Sequence, residues 1–216
     1  MKITIVSPCK IQLRHIGVNV EAAKEKRNVD IILDTEFNMR VGDFKVDPIS
    51  IAMVTDCGRH TLYEVSRDFN KSAATEHEFL AAQVLPKLPP VEARASNDQI
   101  ALRIKMYFLK VIRERQANRV TLWAKNGGMG DFTLLNLFLV DRLYDFMRAQ
   151  GVERTYCRDL GELYQDLGRP ELGLPSVDPS VAHTALGDAL YGREMLLACQ
   201  KIKAAQSAAL ELKLLG

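Results

Sequence analysis

Apolar positions recur along the chain in two rhythms, and the switches between them mark the elements. Val29, Ile31, Ile32 and Leu33 form a short β-branched run bounded by polar residues, which predicts a buried strand. The run ends in Asp34-Thr35-Glu36-Phe37, and the polar residues 38–47, with Gly42 inside and Pro48 after, predict a loop. Residues 49–55 then alternate large apolar with small side chains, a second strand. Residues 56–59 carry turn chemistry and 60–65 read as the returning strand. The first half is therefore expected to hold three consecutive, mostly antiparallel strands.

Helical spacing takes over next. Thr75 with Glu78 three residues on suggests a capping box for a short helix reaching about Leu85, before Pro86, Pro89 and Pro90 break the chain. A stronger helix, capped by Asn97 or Asp98, is predicted to reach about Gln116. Ile100, Ile104, Phe108, Val111 and Ile112 line one face, and Arg103, Lys105, Lys110, Arg113 and Arg115 the other, either a solvated face or a phosphate-binding stripe. Residues 120–124 form a compact strand, 125–130 a glycine-rich loop, and Asp131 opens an apolar helix from Phe132 to about Ala149 that Gly151 would cap. A weak strand at 155–158, a helical turn or two at 159–167, an irregular proline-containing loop at 168–180 and a final helix from His183 to about Ala205 complete the pattern. Strands first and strand–helix alternation afterwards predict an α/β protein with one mixed sheet flanked by helices. Residues 29–216 would make a single domain, with 1–28 as an N-terminal extension or edge element.

Composition narrows the setting. The chain has 216 residues, 47% hydrophobic, with 29 Lys and Arg against 27 Asp and Glu, a formal net charge of +2 that neither requires nor excludes nucleic acid. Cys9, Cys57, Cys157 and Cys199 lie far apart with no C-x-x-C pair, which speaks against structural zinc and fits a reduced, cytoplasmic compartment. No stretch approaches the roughly 18–20 apolar residues of a membrane span. No membrane partner is expected.

The chemistry is concentrated in three places. On a strand, Asp34 and Glu36 project to one face, and two like charges held so close favour a hard divalent cation unless both are simply solvated at a strand exit. Asp131 follows a strand and three glycines; it is either a helix N-cap or a site residue, and the roles are compatible. The glycine loop lacks both G-K-[ST] and G-x-G-x-x-G, so a nucleotide-cofactor site is poorly supported. His183 and Asp188 are five residues apart, roughly 140° on a regular helix, so they can cooperate only if His183 lies at the start of the helix or just before it.

The set D-T-E-F (34–37), an Asp opening the helix after a central strand (Asp131), and H-T-A-L-G-D-A (183–189) resembles the DEDDh exonucleases of the ribonuclease H-like superfamily. That resemblance implies a mixed sheet of five to six strands. It implies Asp34, Glu36, Asp131, His183 and Asp188 as catalytic residues, the four acids holding two divalent ions, Mg²⁺ or Mn²⁺, with His183 as general base. It further implies 3′–5′ hydrolysis of nucleic acid to nucleoside 5′-monophosphates by a two-metal mechanism. Thr35 and Phe37 would hold the terminal nucleotide, Phe37 stacking on a base or else packing in the core, and Lys125 and Asn126 would either reach phosphate or simply lie in a solvated loop. Met39, Phe44 and Phe132 are further stacking candidates. The D-T-E-F loop and I-S-I-A-x-V strand look most like the small stand-alone exoribonucleases, so RNA is the expected substrate. DNA 3′ ends, or a non-catalytic nucleic-acid-binding module on the same fold, are the alternatives. The apolar C-terminal helix (Met195, Leu196, Leu197, then 204–215) would either pair two copies in a homodimer or pack on the parent sheet.

Overall fold

The computed structural model describes residues 27–40, 45–125, 130–139, 142–174 and 176–215. Among these, β1 (Asn28–Arg40), β2 (Lys45–Thr55), β3 (Thr61–Val65), β4 (Arg119–Ala124) and β5 (Arg154–Asp159) form one sheet in the order β3-β2-β1-β4-β5. β1, β2 and β3 pair antiparallel, whereas β4 and β5 run parallel to β1. The expected mixed sheet is present with five strands. The helices are α1 (Lys71–Glu76), α2 (Asn97–Arg115), α3 (Gly130–Leu139), α4 (Leu143–Ala149), α5 (Leu160–Asp166) and α6 (Ala185–Leu215). None of the described helices is long and apolar enough to cross a membrane.

The pleat of β1 divides the interior in two. Val29, Ile31 and Leu33 join Ile51, Met53, Val120 and Leu122 in a core closed by α2, α3 and α4. The stripe of α2 does this work: Ile100, Ile104, Phe108, Val111 and Ile112 are all buried there. Each such side chain contributes about 1.5–3 kcal/mol relative to exposure. On the opposite face Ile32 and Trp123 pack with Leu160, Met195, Leu196 and Cys199 under α5 and α6. Further along that face the residues are small. Ala52 and Val54 of β2 meet Ala185 and Ala189 of α6, and a Cβ added at Gly192 would lie 3.0 Å from Ile32 Cγ2. Small side chains on both partners draw the first turns of α6 down onto β1 and β2. From 204 on, the described residues of α6 are exposed, so Met195 and Leu196 pack on the sheet while the end of the helix runs past it.

Several boundaries differ from expectation. Residues 38–47 do not loop out as a whole: β1 continues to Arg40 and pairs Phe37 with Pro48, Asn38 with Asp47 and Met39 with Val46. Pairing with β4 stops at Ile32, so beyond it β1 and β2 form a ribbon whose backbone bonds override the polar side chains. Asp34 and Glu36 thus sit inside a strand rather than at its exit. Thr75 does not start a helix. Asn70 caps α1 by accepting from Ala73 N at 3.0 Å, and Thr75 lies in its last turn, its hydroxyl donating to Lys71 O. A π-helical turn (Leu80–Val84) follows, burying Leu80 and Val84 with Ile49 and Phe69. The cap of α2 is Ser96, one residue ahead of Asn97, in a reciprocal box with Gln99. The single helix expected over 132–149 is two. Asn136 accepts from Leu143 N at 3.0 Å, so a side chain of α3 satisfies the first turn of α4. The final helix starts at Ala185, not His183, and runs ten residues beyond Ala205. Residues 1–26 and the glycines at 127 and 128 lie outside the described residues.

Candidate active site

Alternation along β1 puts Asp34 and Glu36 on the face that α6 covers, one and two pleats past Ile32. The small side chains of Ala52, Ala185 and Ala189 let α6 approach closely enough for its first-turn Asp188 to join them. Carboxylate oxygens of Asp34, Glu36 and Asp188 lie within 4.8 Å of one another. Asp131, on the first turn of α3, stands outside that trio. It is buried, and its Oδ1 accepts a 2.5 Å hydrogen bond from the Thr35 hydroxyl. Its charge still reaches both Asp34 and Glu36.

Crowding of like charge away from water governs the electrostatics. Burial, then the charges of Asp131, Asp188 and Glu36, push Asp34 up to about 9, with Lys125 opposing. Burial and the charges of Asp188 and Asp131 push Glu36 up to about 8, with Lys87 opposing. Asp131 is raised to about 6 by burial, held back by hydrogen bonds from the Thr35 hydroxyl and backbone. Among the described residues these oxygens lack sufficient counter-charge. Ser50, paired with Glu36 across β1–β2 and hence on the same face, has a buried hydroxyl with no hydrogen-bond partner among the described residues. A set of hard oxygens short of positive charge, beside an unpartnered hydroxyl, fits divalent ions such as Mg²⁺ or Mn²⁺.

His183 lies before α6, not within it. Its φ of 57° is in the left-handed region, its side chain is exposed, and its ring meets Phe79 edge-on with centroids 5.2 Å apart. The loop that carries it is pinned at three points. Thr184 caps α6, accepting from Gly187 N at 3.0 Å and donating to Val181 O at 2.7 Å. Gly187 is needed by that closeness, since a Cβ there would lie 2.1 Å from Val181 O. Lys87 Nζ donates to Ala182 O at 2.5 Å. Thr184 and Gly187 stand inside the H-T-A-L-G-D-A motif and were open to notice. Lys87, Phe79 and Tyr63, whose hydroxyl is raised by burial and by the Glu36 charge, carried no local signal.

The register of β1 against β2 shifts between Glu36 and Phe37, so Ile49 opposes no residue of β1. This bulge re-aims the strand immediately after the acid. Phe37 is half-buried and reaches α3, its Cζ 3.2 Å from where a Gly130 Cβ would be. Phe132 is buried in the core and Met39 is exposed. Lys125 Nζ lies 5.0 Å from the centroid of the Tyr191 ring. Asn126 and Phe44 fall outside the described residues.

No family model and no curated protein matches the chain. Among solved structures it is similar to E. coli Exonuclease I in complex with a dA16 oligonucleotide, at 15% identity and a TM-score of 0.51. The match covers 81% of this chain and 41% of that one, so the chain spans less than half the length of that protein. At this identity the likeness is one of fold. It agrees with a ribonuclease H-like sheet in which antiparallel β1, β2 and β3 are joined by parallel β4 and β5.

Proposed function

We propose that this protein is a metal-dependent 3′–5′ exonuclease, with residues 29–216 forming the exonuclease domain. The observation that carries the reading is the convergence of Asp34, Glu36 and Asp188 from β1 and α6 within 4.8 Å, with Asp131 adjacent and His183 on the loop entering α6. Asp34, Glu36 and Asp188 would hold divalent ions, Mg²⁺ or Mn²⁺, with Asp131 completing the set. Such ions, when bound, supply Lewis-acid polarisation of a phosphoryl oxygen and a lowered pKa for water.

The chain's own residues do the remainder. His183 takes the proton of the attacking water at a ring nitrogen, as general base. Its exposure and the edge-on Phe79 ring leave it accessible to substrate while restricting its orientation. Thr35 and Phe37 hold the 3′-terminal nucleotide, the ring of Phe37 offering a face to the base. Lys125 stands close enough to act on Asp34 and would meet phosphate.

We assign RNA as the polymer, on the resemblance of residues 34–37 and 49–54 to the small stand-alone exoribonucleases. DNA is the second reading, favoured by the dA16 oligonucleotide in the structurally similar Exonuclease I. The test is degradation of 5′-labelled single-stranded RNA and DNA with Mn²⁺, with chelator, and with the Asp34→Ala protein. A metal-dependent ladder from the 3′ end, absent in the variant, supports the enzyme, and the faster polymer identifies the substrate. Binding of either strand without cleavage would sink the enzyme and leave a nucleic-acid-binding module.

A further inference from the structure

Lys125, whose charge acts on Asp34, also lines a cavity of about 790 Å³ that the terminal-nucleotide reading leaves unused. It is bounded by α5, the 168–174 segment and α6. Tyr164, Leu172, Leu174 and Tyr191 give it an aromatic and apolar lining, and the positive charges of Lys125 and Arg169 outnumber the one carboxylate, Glu171. Its size falls within the roughly 300–1,000 Å³ of small-ligand sites, enough for a nucleotide.

Two features join the cavity to the acids. Tyr191 lies three residues, about one turn, beyond Asp188 on α6. Lys125 stands at the junction, its Nζ over the Tyr191 ring and its charge acting on Asp34. A strand leaving the acids in this direction meets a cation first and aromatic faces next, the combination that binds single strands without reading sequence. The far rim is built with some strain. α5 ends with Gly168 N donating to Gln165 O and Arg169 N donating to Tyr164 O, a Schellman-type cap. Arg169 there adopts φ 54°, a conformation that disfavours a side chain. That turn places an arginine beside the cavity.

We propose that this cavity binds the substrate strand immediately 5′ of the scissile phosphodiester, with a base against Tyr164 and Tyr191 and phosphate between Lys125 and Arg169. The proposal rests on the exonuclease reading above. Two substrates separate them: the p-nitrophenyl ester of a nucleoside 5′-monophosphate, which has no upstream nucleotide, and a tetranucleotide of the polymer degraded faster. In the Tyr164→Leu/Arg169→Gln protein, kcat/KM for the tetranucleotide should fall about tenfold or more, the order expected for loss of one base–aromatic stack. The rate on the ester should stay unchanged. Tyr164→Phe, which keeps the ring, should retain the tetranucleotide rate and guards against a folding artefact. Equal loss on both substrates, or loss on neither, overturns the cavity assignment and leaves the exonuclease reading standing. Failure of the unsubstituted protein to hydrolyse either substrate overturns both.

Discussion

The two faces of β1 use one strand for opposite ends. Toward α2 and α3, Val29, Ile31 and Leu33 are 0–1% exposed among other apolar side chains, and that face stabilises the fold. Toward α6 the same alternation runs Ile32, Asp34, Glu36, and past the first residue it gathers carboxylates whose mutual repulsion opposes folding. A residue shift of one along a strand exchanges these roles entirely. The stable face keeps the charged face in place, so the site can hold like charges close together without losing its geometry.

The largest effect on the charged face is expected of Asp34→Asn. Activity should fall on the order of a thousandfold, the several kcal/mol that Lewis-acid charge stabilisation supplies, while the metal-free protein should become more stable. A variant that lost both activity and stability would show Asp34 to be a structural residue. Gly187→Ala comes next. Its Cβ would collide with Val181 O at 2.1 Å, so the loop carrying His183 must shift, and a misplacement of that kind costs about a hundredfold in rate. The expected pattern is a fall in kcat far out of proportion to any shift in melting temperature. On the other face, Leu33→Ala should cost about 2–5 kcal/mol in urea unfolding while the folded fraction keeps its metal-dependent activity.

pH sharpens the same contrast. Asp131, Glu36 and Asp34 have folded-state pKa values of about 6, 8 and 9, all above the roughly 4 of an unfolded carboxyl. Folding of the metal-free protein therefore binds protons. The stability these groups contribute is full below about pH 4 and is lost as pH rises through 6, 8 and 9. Urea midpoints in chelator should decline over that window, Mn²⁺ should flatten the decline, and Asp34→Asn should remove much of it above pH 8. Midpoints that rose with pH would contradict the crowding of these acids. The smallest effect expected is that of Lys87→Met, which frees the Ala182 carbonyl and should lower the rate about tenfold with little change in KM. An unchanged rate would show that Thr184 and Gly187 suffice to place His183.

What was legible from the chain alone was local or periodic. The α2 stripe shows in its 3.6-residue spacing, the β1 core in a β-branched run, and the shared face of Asp34 and Glu36 in the two-residue pleat, because backbone geometry repeats these patterns over a few residues. The D-T-E-F and H-T-A-L-G-D-A spacings could likewise be read directly. Tertiary structure decided whatever depends on partners distant in sequence. Pairing with β2 carried β1 through polar residues that local propensity assigns to a loop, and Asn136 split one apolar helix by capping the next. Small residues on β2 and α6 brought Asp188 to Asp34 and Glu36 across more than 150 positions of chain. Lys87 reached the carbonyl before His183 from a stretch that reads as a proline-broken connection. Each of these is a contact whose free energy exists only once both partners are placed, so neither segment announces it alone.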